Sequence, residues 1–430
     1  MTGPTVALAA ILVAFLALTS VIAIGTPAWE SADEPGHVDN IEHLVAGHWY
    51  HIPIDNLTHQ VNRGNERHQP PLYYLIMAGI QRLEGEPAQP VSPGIASFPL
   101  KSNSRGQYLH HSAAQHRFLL LLRLPNLIFG VLTIIFTFLT ARLITNDRWT
   151  PVIAAAICGL LPRLVFLSAF VTNDNLVTAL GAILVYCSLR CMSSATLTRT
   201  IPLGIVCGLI VLAKLTALPA LAVLAVVILA QPNRRERLKT TAILGAFAML
   251  TCGWWLVHNQ VVYGDPLAIR ATHRYLVAIF GLGTLAGPYT VSHPLHLIFV
   301  GVPDRIFRDF WYQSGWNQFT WPTRTGTVYW IALLAALVGL LRPTRRSTRR
   351  PQLVALIVLA GAGLLTVWLA AFTTAVYEPR LGLYAIPALA CLAALGLERW
   401  HLPVRLVLPA MELIGVMVAI QQNVLSVHWY

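Results

Sequence analysis

The chain has 430 residues, 56% of them hydrophobic and 11% charged, with a formal net charge of +12. Soluble globular chains carry about 25% charged residues, so this composition excludes a disordered chain, a coiled coil and an ordinary cytosolic enzyme. The basic residues fall largely in short segments between apolar runs, which reads as membrane topology and contact with lipid headgroups, not nucleic-acid binding.

The apolar runs cover 5–25, 118–141, 150–168, 173–189, 201–213, 215–230, 240–258, 325–341, 352–373, 382–398 and 404–421. About 20 such residues cross a bilayer as a helix. The sequence therefore predicts an all-α polytopic membrane protein with about 11 transmembrane helices and two larger outer loops. The first run has no Lys or Arg before it and is long for a signal peptide, so it is read as an uncleaved span. The runs 201–213 and 215–230 are short and meet at Lys214, as two spans or as one broken helix that re-enters. The segment 70–83 is too short to span and is expected in the interface, with Tyr73 and Tyr74 at headgroup level.

Charge orients this layout. With the N-terminus in the cytoplasm, five short inner segments (142–148, 190–199, 234–239, 342–350 and 399–405) hold 15 of the 30 Lys and Arg residues. Of the 18 acidic residues, 14 fall on the outer side. The expected organisation is a transmembrane module 1–258 with an outer loop 26–117, a second outer loop 259–324, and C-terminal helices 325–430. The expected location is the cell membrane. The six cysteines lie in or beside apolar runs and suggest neither a disulfide framework nor a zinc site.

Asp33 and Glu34 follow the first span directly, and Pro35 opens a short helix that ends near Gly47. A carboxylate there can take a proton from an acceptor hydroxyl, and its neighbour can orient the acceptor or hold a divalent cation, Mg or Mn. The plainer reading is a solvated capping pair. His68 and Gln69 precede Pro70-Pro71 and are candidate contacts for a lipid phosphate. Asp174 sits at an outer turn, where helix capping is the plainer reading. Lys214 lies inside an apolar stretch, where a charge usually faces protein, a cavity or a phosphate. Arg380 opens a late span and has Glu378 as a ready partner.

Taken in order, DEPGH, GHWY, HQPPLYYL and LLRLPNLIFGVLTIIFTFLTARLI resemble the amino-terminal third of bacterial membrane glycosyltransferases that use a polyprenyl-phosphate sugar donor. These are similar to protein O-mannosyltransferases and to the aminoarabinose transferases of lipid A. A related group of uncharacterised bacterial integral membrane proteins shares most of the text. The likeness continues in FVTNDNLVTALGAILVY, GLIVLAKLTALPALAV, WWLVHNQVVYGDPLAI and YEPRLGLYAIPALA.

The resemblance implies a GT-C-like bundle that moves one sugar from a polyprenyl-phosphate carrier to an acceptor hydroxyl at the outer face. The acceptor would be a glycan, a lipid or a protein of the cell envelope. It implies Asp33 as general base, Glu34 positioning acceptor or metal, Asp174 as a second acidic group and weak metal ligand, and Lys214 and Arg380 near the donor phosphate. The chain departs from the pattern at Gln69, where such proteins have Lys, and at His258, Leu381 and Tyr384. Two other readings stand beside the transferase. One is a catalytically inert relative that binds lipid-linked glycan. The other is a flippase or transporter of polyprenyl-linked material.

Overall fold

The computed structural model describes residues 3–52 except 27, 30 and 32, then 66–84, 113–280, 294–342 with gaps at 312, 315–318 and 321–322, 350–374, 378–421, and 424. Its helices are α1 (Gly3–Gly25), α2 (Glu34–Val45), α3 (Leu72–Glu84), α4 (Ala113–Ile144), α5 (Thr150–Gly159), α6 (Pro162–Ser168), α7 (Asn173–Ser193), α8 (Leu197–Ala213), α9 (Val223–Leu229) and α10 (Arg234–Tyr263). They continue as α11 (Ile269–Phe280), α12 (Val302–Trp311), α13 (Thr323–Leu341), α14 (Arg350–Thr374), α15 (Ile386–Leu397) and α16 (Leu402–Ile420). Two 3₁₀ stretches, Leu215–Ala222 and Pro379–Ala385, lead into α9 and α15. A two-residue ladder pairs Gln313 with Thr320 and Ser314 with Phe319.

Every apolar run of the sequence is helical. Among the described residues, seven helices are long and apolar enough to cross a membrane, or eight if the α5–α6 pair, bent by 57°, forms one span. The segments 197–213 and 215–229 are helical but shorter, and α13 has 19 residues. The expected 11 spans are thus 11 apolar segments, of which 197–213 and 215–229 fall short of full spanning length.

One expectation about the interface is corrected. Tyr73, Tyr74 and Met77 of α3 are completely buried against the rest of the protein, so these rings are core residues and not headgroup anchors. The amphipathic α2 likewise packs on α3, and most of its residues are buried. Trp29 is inside, while Trp49 is 58% exposed.

Side-chain caps set two of the helix starts. Thr172 caps α7, its hydroxyl accepting from the Asp174 N–H at 3.3 Å. Asn233 caps α10 by accepting from Glu236 N–H at 2.9 Å, and Gly264 ends that helix at φ 67°. α8 stops at Lys214, whose backbone is extended, and α9 is reached only through the 3₁₀ turn. In lipid a break of this kind needs protein around it, and α7 and α14 supply it.

Small residues let the helices approach closely. Gly204 and Gly208 of α8 face α10, where an added Cβ would stand 2.9 Å from Leu244 O and 2.7 Å from Ala248 O. Gly181 of α7 presses against the carbonyl of Tyr384, in the 3₁₀ stretch that also carries Arg380.

A side chain at Gly181 must push that backbone away, at about 1–3 kcal/mol or more. Gly181→Val should lower the thermal unfolding midpoint in nanodiscs by several degrees. Gly245→Val, whose added Cβ meets nothing within 4 Å, should leave it nearly unchanged. Equal midpoints for the two variants would contradict this packing.

Candidate functional site

Charged and polar side chains from five places in the chain converge at one end of the bundle: the α1–α2 connection, the segment before α3, the α6–α7 turn, the α8 break and the 3₁₀ stretch before α15. The foundation is a pair that no solvent reaches. Arg123, in the middle of apolar α4, donates from Nε to Glu34 Oε1 at 2.9 Å and from Nη2 to Oε2 at 2.7 Å. Its Nη1 donates to the carbonyls of Ala23 and Thr26 at 2.7 and 2.8 Å. Val171 N–H completes the shell by donating to Glu34 Oε1 at 3.1 Å. Both oxygens of Glu34 are therefore taken. The residue anchors the loop and offers no open face to an acceptor or a metal, which corrects the role expected for it.

The anchored loop presents Asp33 with φ 61°, in the left-handed region that Asp tolerates better than most residues. Its carboxylate pairs closely with Arg380 and keeps 31% of its surface exposed. Arg380 also pairs with Glu378 and approaches Asp174 Oδ2 at 3.9 Å. Lys214 Nζ donates to Asp174 Oδ1 at 2.6 Å and to Asn173 Oδ1 at 3.1 Å. Four expected residues, Asp33, Asp174, Lys214 and Arg380, thus stand together. The ready partner Glu378 is one of three carboxylates around Arg380, not its sole neighbour.

His68 and Gln69 border this group. The His68 ring stacks on Tyr275 of α11 with centroids 5.4 Å apart. The Gln69 amide donates to Glu66 Oε2 at 3.0 Å and lies 3.2 Å from His68 Nε2. Its oxygen accepts from Asn173 Nδ2 at 3.3 Å. Gln69 therefore links two acidic neighbourhoods. Glu66 and Asn173 enter the site unexpected, as does Arg123. A charge inside LLRLPNL carried the same signal that singled out Lys214.

The electrostatics outside the spans follow from this crowding. Burial alone would raise the pKa of Asp33, but Arg380, with His37 and Lys214, more than offsets it and holds it below the usual value. Burial lowers the pKa of His37 against the pull of Glu66 and Asp33. The same burial raises Glu66, with His37 pulling the other way. His37 Nδ1 hydrogen-bonds Tyr74 OH at 2.9 Å, and Tyr73 OH donates to Asn126 Oδ1 at 3.0 Å.

These donors do not fit a divalent cation. Glu34 is closed by Arg123, Asp174 by Lys214 with Arg380 nearby, and Asp33 and Glu378 by Arg380. Two fixed cations already stand where a metal would neutralise charge. Among the described residues no group of three His, Cys, Asp or Glu side chains forms a ligand set.

An apolar cavity of about 380 Å³ is lined among others by Ile306, Trp330, Leu364, Trp368 and Leu389. Ile306, Leu364 and Leu389 also border a small gap beside Pro379, Gly382 and Ala385, so the cavity adjoins the Arg380 segment. Glu412 of α16 is buried at its wall. Arg405 does not pair with it: it donates to Asp147 Oδ2 at 2.7 Å and to Glu398 O at 2.6 Å.

The histidines give the site a pH signature. Burial lowers the pKa of both His37 and His43 in the folded protein, that of His43 to about 4. Below about pH 6.5 the unfolded chain takes up protons that the folded one refuses. Their contribution to stability is complete above that pH and falls as the pH drops towards the lowered values. The unfolding midpoint should decline on acidification from about pH 7 to about pH 5, and His37→Gln should flatten the slope. An unchanged slope would contradict the lowered pKa of the buried imidazole.

No curated protein sequence matches the chain significantly. Among solved structures, it superimposes on the apo crystal structure of the Archaeoglobus fulgidus oligosaccharyltransferase with a TM-score of 0.59 at 14% identity, over 97% of this chain and 56% of that one. It also superimposes on Cupriavidus metallidurans ArnT bound to undecaprenyl phosphate, with a TM-score of 0.52 at 16% identity, over 96% of this chain and 63% of that one. The chain spans somewhat over half the length of these proteins, and the likeness establishes a GT-C membrane fold. The family described as "Predicted membrane protein (DUF2142)" matches residues 110–384, and the chain belongs to that family.

Proposed function

We propose that this protein transfers a sugar from a polyprenyl-phosphate carrier to an acceptor hydroxyl at the outer face of the cell membrane, with its N-terminus in the cytoplasm. The observation that carries the reading is the grouping of Asp33 with Arg380, Asp174 and Lys214 beside an apolar cavity. A phosphate on a long apolar chain needs those two features, fixed cations and adjoining apolar space. The GT-C folds of an oligosaccharyltransferase and of a protein crystallised with undecaprenyl phosphate agree with it.

The geometry suggests how the base is released. Without donor, Arg380 is spent on Asp33 and Glu378, and Asp33 is a poor base because its pKa is depressed. A donor phosphate competes for Arg380 and for the ammonium of Lys214. Asp33 loses its strongest charge partner, and its proton affinity rises. The acceptor hydroxyl then attacks the anomeric carbon and gives its proton to Asp33. The bond from that carbon to the phosphate oxygen breaks, and its electron pair leaves on polyprenyl phosphate, where Arg380 and Lys214 hold the charge. Asp33 returns its proton to solvent. No step is routed through a metal.

Purified protein in nanodiscs should be given radiolabelled polyprenyl-phosphate sugars and a membrane acceptor fraction, with Asp33→Asn beside the wild type. Wild type should move label, with or without a chelator, and Asp33→Asn should lose activity by about 10²-fold or more. If both proteins bind carrier lipid and neither moves label, the chain is a lipid-linked glycan binder and the transferase reading falls.

A further inference from the structure

We propose that Glu66 is a positioning residue that sets the direction of an amide chain, from Gln69 to Asn173, and so keeps an acceptor aimed at the ammonium of Lys214. Hydrogen-bond polarity fixes each link of this chain. A carboxylate only accepts, so the Gln69 group 3.0 Å from Glu66 Oε2 is its NH₂. The second proton of that NH₂ points to His68 Nε2 at 3.2 Å. The Gln69 oxygen is therefore left for Asn173, which must turn its own NH₂ towards Gln69 at 3.3 Å. The Asn173 oxygen then faces Lys214 Nζ at 3.1 Å.

An ammonium only donates, and a reversed Asn173 would present N–H to N–H. Lys214 is itself nearly buried, with 7% of its side chain exposed, so it has little water to replace a lost acceptor. Glu66 is held in place by its backbone: its N–H donates to Gly36 O at 3.3 Å, and its carbonyl accepts from Asn40 Nδ2 at 3.0 Å. The chain thus runs from the loop before α3 through the start of α7 to the break after α8. It also accounts for Gln69 where the resembling transferases carry Lys. A lysine there has no oxygen for Asn173 to meet.

The proposal has a signature that a merely structural contact lacks: two damaging changes that repair each other. In Glu66→Gln the amide chain loses its fixed direction, and Asn173 is free to turn its NH₂ to Lys214. In Asn173→Asp two carboxylates compete for the one NH₂ of Gln69. With both changes a single carboxylate remains, now at position 173, and the chain runs consistently in reverse. The new amide at position 66 donates to the Gln69 oxygen, and the Gln69 NH₂ donates to the new carboxylate, which still accepts from Lys214.

The four proteins should be compared for donor KM and kcat and for thermal unfolding midpoint. The kinetic readout rests on the transferase reading; the unfolding readout does not. Each single variant should raise donor KM about tenfold, the loss of about 1.4 kcal/mol, with kcat much less affected. The double variant should return to within about threefold of wild type, and the midpoints should follow the same pattern. If no protein shows transfer, the midpoints alone decide. Gln69→Met removes the amide and should abolish the coupling, so that Glu66→Gln costs nothing further. Additive losses in the double variant, or an unchanged midpoint and KM in Glu66→Gln, would overturn the proposal.

Discussion

Arg123 and Glu34 meet where neither is exposed to solvent, and their contact ties together four parts of the chain. The guanidinium stands on α4. The carboxylate begins α2. Two of the guanidinium donors are spent on the end of α1, and the carboxylate takes the Val171 N–H just before α7. A buried pair of this kind adds little net stability against an apolar replacement, yet removing one partner costs roughly 3–5 kcal/mol because the other is left charged and dry. Its value here is placement. Asp33 is the residue next to Glu34, and its left-handed backbone is held by that neighbour's fixed position.

The cations reach Asp33 through two interruptions in otherwise apolar helices. α8 ends in extended backbone at Lys214, and α15 is preceded by the 3₁₀ stretch that carries Arg380. Regular helix would bury both charges among apolar side chains, whereas a break turns them towards polar partners. Packing keeps the breaks together. Gly181 lets α7 lie directly on Tyr384, and Thr366 of α14 hydrogen-bonds both Thr216 O at 3.2 Å and Tyr384 OH at 2.7 Å. One threonine thus touches both interrupted segments. The same arrangement places cations beside the carboxylates.

Much of this was legible in the sequence. The apolar runs marked every helix long enough to cross a membrane, and an isolated charge in apolar text marked Lys214. What the sequence concealed depends on tertiary packing. Period and length made α3 look interfacial, because tyrosines suit both a headgroup belt and a polar core, and only the partners Asn126 and His37 distinguish the two. Adjacent Asp33 and Glu34 looked equivalent. Arg123 separates them, one sealed and one open, and it lies 89 positions from Glu34. Gln69 was legible as a polar residue before a Pro-Pro pair, but Glu66 was not, and the direction of their hydrogen bonds depends on Asn173, 104 positions beyond Gln69.

In the proposed reaction a lipid phosphate takes Arg380 from Asp33. The most direct measurement is a cryo-electron microscopy structure of the protein in nanodiscs with polyprenyl phosphate bound. The account predicts phosphate oxygens within about 3 Å of Arg380 and Lys214, the Asp33 carboxylate released from Arg380, and Glu34 unmoved on Arg123. A phosphate bound elsewhere, with Arg380 still closed on Asp33, would contradict it.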